Sequence, residues 1–205
     1  MLKESCLLAY TTSHNDMFNI FQNSVTDIFH KNDIYIKNEN IPPNIHYNIF
    51  DREIQYLRRK INTLKNKYKF VIYSNCENYL FYNMKSWSDL YTFINNSSKK
   101  IFFMKNTISN DINASFFIIK HEYIPEFLMY IQNNILTSNY AVRNRKMIND
   151  TKNKLVFEYI PIKYTIWGYH FSIIHKNNYL LHHPTDNNEY ENKEIQINRI
   201  KNNMS

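Results

Sequence analysis

Three polar clusters in this chain hold side chains able to do chemistry. Asn75 and Glu77, one residue apart, follow the apolar run Phe70-Val71-Ile72-Tyr73. Both could turn toward one point, and hard oxygen ligands of this kind suit Mn²⁺ or Mg²⁺. Thr11 and Thr12 close an earlier apolar run, Cys6 to Thr11, and Asn110-Asp111-Ile112-Asn113-Ala114 leads into another at Ser115 to Ile119. A polar cluster next to an apolar strand also serves as an ordinary capped turn, and the residues by themselves leave both readings open. A common meaning comes from position, because ligands of an open α/β sheet bind beyond the carboxyl ends of its strands.

Composition removes several other chemistries. The 205 residues contain one Gly, Gly168, so the G-x-G-x-x-G fingerprint, the P-loop and the kinase loop are all excluded. No G-x-S-x-G elbow can form either, and Cys76 has no signature of a papain-like nucleophile. His170, His175, His182 and His183 could suggest zinc, but no C-x-x-C or H-E-x-x-H accompanies them. Two cysteines, Cys6 and Cys76, are too few for a disulfide scaffold and fit a reducing, cytoplasmic compartment. The apolar stretch Cys6 to Tyr10 is far shorter than the ~20 residues that cross a bilayer, so no transmembrane segment is expected. A net charge of +7 suits an anionic partner. With glycine nearly absent, Asn is the residue expected where the backbone needs a positive φ.

The elements that must position these clusters alternate. Cys6 to Thr11 reads as a strand, and Ser13-His14-Asn15-Asp16 as a capping box opening a helix with Met17, Phe21, Ser24, Val25 and Ile28 on one face. Asp33 to Lys37 alternates as a second strand, and Pro42 and Pro43 lead to Asp51, a good N-cap. Ile54, Leu57, Ile61 and Leu64 then repeat at helical spacing beside Arg58, Arg59 and Lys60. The unbroken run from Phe70 marks a strand covered on both faces, which completes βαβαβ. Further on, Ser88 to Asn96 predicts a short helix, Ile101 to Met104 and Ser115 to Ile119 buried strands, and Ile124, Phe127, Leu128, Ile131 and Ile135 a helix with Pro125 in its first turn. Leu155 to Ile160 and Tyr179 to Leu181 read as strands, with a polar tail from Asn187. Without repeat or linker, the economical reading is one α/β domain over 1–205.

Three segments carry a family resemblance, in order along residues 6–186. The first is Lys60-Ile61-Asn62-Thr63-Leu64, then Tyr68 to Tyr73, Asn75-Cys76-Glu77 and Tyr79-Leu80-Phe81. The second is Asn113-Ala114-Ser115-Phe116-Phe117-Ile118-Ile119-Lys120 with the helix after it, and the third is Tyr179-Leu180-Leu181-His182-His183-Pro184. Together they resemble nucleotide-sugar glycosyltransferases of the GT-A fold. The resemblance implies an α/β, GT-A-like single domain over 1–205 with a mixed, mainly parallel central sheet flanked by helices, its nucleotide-binding βαβαβ half at about 1–85, its acceptor and metal half at about 86–186, and a polar tail at 187–205. It implies transfer of a sugar from a nucleotide-sugar donor, most often a UDP sugar, to a glycan, protein or lipid acceptor. It makes Asn113 and Asp111 catalytic, assigns Thr11, Thr12, Lys60 and Asn75 to the donor, gives Glu77, Asn75, His182 and His183 to a divalent cation, Mn²⁺ or Mg²⁺, and sets Thr11, Lys60, Asn75, Glu77, Asn113 and one of His182 or His183 around one cleft. Read without it, Lys60 is a solvated helix charge and His182-His183 a strand-end pair.

The chain departs from the family pattern at three points. Asn75 stands for the first Asp of D-x-D, Ser115 for the Gly of N-A-G, and His183-Pro184-Thr185-Asp186 for His-x-x-Gly. One carboxylate in place of two should weaken cation binding. Two alternatives therefore stand: the fold without the activity, and a basic module binding RNA or single-stranded DNA. Against the second, most aromatics lie in apolar runs and read as core, so a nucleic-acid partner is not expected.

Overall fold

All seven residues of β1 (Ser5–Thr11) are buried, the state expected of an apolar strand covered on both faces. The computed structural model describes residues 4–11, 16–26, 28–39, 49–64, 66–76, 80–81, 84–105, 112–127, 129, 157–161, 165–167 and 181–183. After β1 come α1 (Asp16–Thr26), β2 (Ile34–Asn38), α2 (Ile49–Leu64), β3 (Phe70–Asn75), β4 (Leu80–Phe81) and α3 (Met84–Asn96). Then follow β5 (Ile101–Lys105), β6 (Ile112–Lys120), β7 (Phe157–Tyr159), β8 (Thr165–Trp167) and β9 (Leu181–His183). The expected βαβαβ start is present. The polar tail, Asp51's capping side chain and the 131–135 part of the Ile124 helix lie outside the described residues.

Six strands form the central sheet in the order β2-β1-β3-β6-β5-β7. β2 and β3 both pair parallel to β1, and β7 parallel to β5, while β6 runs antiparallel to β3 and β5. The sheet is thus mixed and mainly parallel, with β6 as its single reversed strand.

Helices cover both faces. A right-handed crossover moving one way along a sheet lays its helix on one face, and one moving back lays it on the other. Accordingly α1 and the turn after it, between β1 and β2, pack Phe21, Val25 and Ile28 with Leu7, Ala9, Phe70 and Ile72, where Trp87, Leu90 and Ile94 of α3 join them. α2, leading back past β1 to β3, packs Leu57, Ile61 and Leu64 with Cys6, Leu8, Val71 and Tyr73, where Ile124 and Phe127 add to the layer. The period-two alternation of β1 and β3 divides their side chains between the two cores.

Several boundaries differ from expectation for local reasons. α3 begins at Met84 rather than Ser88, because Trp87, 2% exposed, opens the buried series with Leu90 and Ile94. β6 begins at Ile112 rather than Ser115. One step on β5, Phe103 to Met104, is matched by four on β6, Phe117 to Asn113, so a bulge carries extra residues within the strand. A second, three-stranded sheet, β4-β9-β8, has no counterpart in the sequence reading, and β9 lies two residues later than the Tyr179 to Leu181 strand predicted there. The positive φ expected of Asn falls, among the described residues, on Glu4 (φ 65°). Its carbonyl accepts from the N–H groups of Lys69 (2.8 Å) and Phe70 (3.2 Å), and its carboxylate from the Tyr91 hydroxyl (3.1 Å). Among the described residues no helix is long and apolar enough to cross a membrane.

Leu8, 0% exposed at the centre of β1, gives a test of the α2-side core. Leu8→Ala should cost about 2–5 kcal/mol, whereas Asn62→Ala on the exposed face of α2 should stay within about 0.5 kcal/mol. Denaturant unfolding of both variants checks the difference.

Candidate functional site

Parallel strands bring their carboxyl ends to one edge of the sheet, and the reversed strand brings its amino end there. Thr11, Asn75 and Lys105 end β1, β3 and β5. Ile112 and Asn113 begin β6 opposite Lys105 and Met104. The strand order turns at this edge, because the chain leaves β1 for β2 on one side and returns to β3 on the other. Such a reversal opens a crevice between the two strand ends, the usual ligand position of open α/β sheets. Here the ladder extends past both ends: Cys76 N–H donates to the Tyr10 carbonyl (3.2 Å) and Glu39 N–H to the Thr11 carbonyl (3.0 Å). Thr11 is buried and Asn75 half-buried. By alternation Thr11 follows Leu7 and Ala9 toward the α1 side, and Asn75 follows Val71 and Tyr73 toward α2.

Beneath the α2 side of the crevice lies a layer of phenols and carboxylates that the sequence reading did not identify. The Tyr10 hydroxyl donates to Glu39 Oε2 (3.2 Å), and the Tyr73 hydroxyl donates to Glu53. Tyr10 and Tyr56 place their ring centroids 6.0 Å apart, and the Tyr56 hydroxyl donates to the Tyr35 carbonyl (2.8 Å). Glu39 is further held by Lys37 Nζ at 3.6 Å and Arg52 Nη1 at 3.5 Å. Burial, reinforced by Glu39, pushes the Tyr10 phenol well above its ordinary range, and burial does the same to Tyr56. A signal for this layer existed in the sequence: Tyr10 and Tyr73 each stand next to the polar residue that ends an apolar run.

The sequence-predicted residues that the structure describes divide into three groups. Thr11, Asn75 and Asn113 share the carboxyl edge. Lys60 lies elsewhere: α2 runs from that edge back toward the amino end of β3, and Lys60 Nζ sits 4.2 Å from the ring centroid of Tyr35, the second residue of β2. His182 and His183 belong to β9, with Leu80 and Ile166 in register with His182 and Trp167 with His183. Leu80 follows Glu77 by three residues in the chain, so His182 is registered against the strand that comes next in sequence after Asn75-x-Glu77. Thr12, Glu77 and Asp111 lie outside the described residues. Among the described residues no group of three or more His, Cys, Asp or Glu is gathered to hold a metal ion.

Two glycosyltransferases are among the solved structures similar to this arrangement. One is a glycosyltransferase involved in glycosylation of the major capsid of PBCV-1, with a TM-score of 0.66 at 10% identity over 94% of this chain and 98% of that one. The other is the glycosyltransferase GlyE of Streptococcus pneumoniae TIGR4, with a TM-score of 0.54 at 11% identity over 96% of this chain and 59% of that one. This chain therefore spans well under two thirds of the length of GlyE. No protein-family model matches the sequence, and no curated protein does. At such identities the likeness establishes the fold: mixed α/β, GT-A-like, with a six-stranded and mainly parallel central sheet.

Tyrosine protonation gives the test for the buried phenols. Burial raises the phenols of Tyr10, Tyr56 and Tyr68, and lifts Tyr91 from 10.0 to about 12. The folded chain keeps protons that the unfolded chain releases, so this stabilisation is whole below pH 10 and is lost as pH rises toward about 12. An ultraviolet titration should show late phenolate absorbance, rising together with loss of the circular dichroism signal. Phenolate formation by every tyrosine near pH 10 with the fold intact would contradict it.

Proposed function

We propose that this protein is a glycosyltransferase that moves a sugar from a nucleotide-sugar donor, a UDP sugar, to an acceptor hydroxyl on a glycan, protein or lipid. The observation that carries the reading is the shared carboxyl edge. A GT-A-like sheet turns its strand order between Thr11 and Asn75, and its reversed strand returns Asn113 to the same edge. Fold likeness to two glycosyltransferases supports it at the level of architecture. The two cysteines, Cys6 and Cys76, both buried, fit a reducing cytoplasmic setting.

In this reading the nucleotide lies across the β1–β3 crevice, held by Thr11, Thr12 and Asn75. Lys60, held over Tyr35, adds positive potential at a distance rather than a contact. Asp111 accepts the proton of the acceptor hydroxyl as its oxygen bonds to the anomeric carbon and the bond from that carbon to the diphosphate breaks. Asn113 orients the sugar through hydrogen bonds. The chain also fits a divalent cation. Glu77 offers a carboxylate, Asn75 a carboxamide oxygen and the His182-His183 pair two imidazoles. When bound, Mn²⁺ or Mg²⁺ supplies charge neutralisation for the diphosphate leaving group. A second reading, the transferase fold without activity, is favoured by Asn75 in place of a carboxylate.

Glu77 is then the only anionic protein ligand of the motif, so the cation depends on the diphosphate for further charge. Calorimetry should find Mn²⁺ binding weak alone and tighter with UDP, and UDP binding tighter with Mn²⁺ by the same factor. Asn75→Asp should strengthen Mn²⁺ binding, and Glu77→Gln should abolish it and reduce sugar transfer or donor hydrolysis. UDP binding that is indifferent to both Mn²⁺ and Glu77→Gln would remove the metal-dependent mechanism. Absence of UDP binding altogether would remove the transferase reading.

A further inference from the structure

A pocket of about 360 Å³ lies outside the crevice, between α2 and the edge strand β2. Four cations line it, Lys37, Arg52, Arg59 and Lys60, against one carboxylate, Glu39. That carboxylate is already shared by Lys37 (3.6 Å) and Arg52 (3.5 Å). Arg59 has no carboxylate at ion-pair distance among the described residues. The pocket therefore keeps an excess of positive charge that its own residues do not neutralise.

The shape of that charge selects the ligand. The α2 lining repeats at three- and four-residue steps from Arg52 to Thr63, one stripe about 16 Å long at 1.5 Å per residue. Lys37 and Arg52 stand at one end, and Arg59 and Lys60 follow seven and eight residues along the helix, about 10–12 Å away. A single phosphate would reach one group only. A chain bearing anionic groups at intervals reaches both. Nucleic acid is disfavoured because single strands rely on stacking over open aromatic faces. Here Lys60 covers the ring of Tyr35, while Tyr56 is engaged with the Tyr35 carbonyl and packs beside Tyr10. At its Glu39 end the pocket meets the crevice, where Glu39 N–H bonds the Thr11 carbonyl (3.0 Å).

We propose that this groove binds an anionic glycan chain bearing carboxylate or phosphate groups. We propose further that this chain is the acceptor, its end reaching the crevice beside Thr11, a step that rests on the transferase reading above.

The test is calorimetry on the full chain at low and physiological salt. The probes are an oligogalacturonate, a phosphorylated oligomannose, a neutral oligogalactose, and a single-stranded RNA of matched charge. At least one of the two anionic glycans should bind, more weakly as salt rises, and the neutral one should not. The glycan that binds identifies carboxylate or phosphate as the source of charge. Arg59→Gln, at an exposed position, should weaken that binding about tenfold or more, the effect of one lost charge-assisted hydrogen bond, with Arg59→Lys restoring part of it. Anionic glycans binding no better than the neutral one, binding unchanged in Arg59→Gln, or RNA binding more tightly would each overturn the groove assignment. UDP titrated in parallel separates the two readings. Glycan binding without UDP binding overturns the acceptor role and leaves the groove, whereas UDP binding without glycan binding overturns the groove alone.

Discussion

The parallel pairing of β1 with β3, six residues in register from Ser5↔Phe70 to Tyr10↔Asn75, is the contact on which the rest of the structure depends. Both strands are buried on both faces, so each contributes alternate side chains to two separate cores. The chain must leave β1 in one direction for β2 and come back past it for β3, and right-handed crossovers then force α1 and α2 onto opposite faces. That single detour makes the molecule three-layered and opens a crevice where the strand order turns. β6 completes the arrangement by running backward. A parallel strand in its place would begin at the far edge, and Asn113 would lie a strand length away from Thr11 and Asn75.

Much of this frame was legible because long apolar runs and helical periods are set by burial, which the sequence records directly. The buried series Leu57, Ile61 and Leu64 in α2, and Phe70 through Tyr73 in β3, appear in the structure as they read in the chain. The second sheet was not legible. Strands of two and three residues, such as Leu80–Phe81 and Leu181–His183, are too short to show a period and exist through their partners. Asn113 likewise stands in a strand through pairing with Met104 across a bulge, not through its own propensity. Glu4 adopts a positive φ while the chain is rich in Asn, because contacts from Lys69, Phe70 and Tyr91 hold it there.

The same distinction applies to the candidate site. A polar residue closing an apolar strand marks the carboxyl edge, which is why Thr11 and Asn75 could be placed beforehand. Lys60 could not, because helical periodicity fixes the face a residue occupies but not its height along the sheet. α2 starts near the carboxyl edge and descends, and Lys60 comes in the second half of its sixteen residues. There it meets Tyr35 near the start of β2 rather than the crevice.

Glycine scarcity links the crevice to the groove. Sites that hold phosphate with backbone N–H groups need residues without a Cβ where the chain approaches the anion, and this chain has only Gly168 to offer. Negative charge must then be met chiefly by side chains, whose reach comes with rotamer freedom that binding has to remove. The structure reduces that cost before any ligand arrives. Lys60 is settled over Tyr35, Arg52 and Lys37 converge on Glu39, and the Tyr10 hydroxyl holds Glu39 from the core side. Glu39 therefore has a positional role: it lowers the net charge of the groove, yet it keeps two cations aligned at the end that adjoins Thr11. Pre-ordering of this kind favours affinity by cutting the entropy lost on association, and it lets a chain almost without glycine present a defined cationic surface beside the β1–β3 crevice.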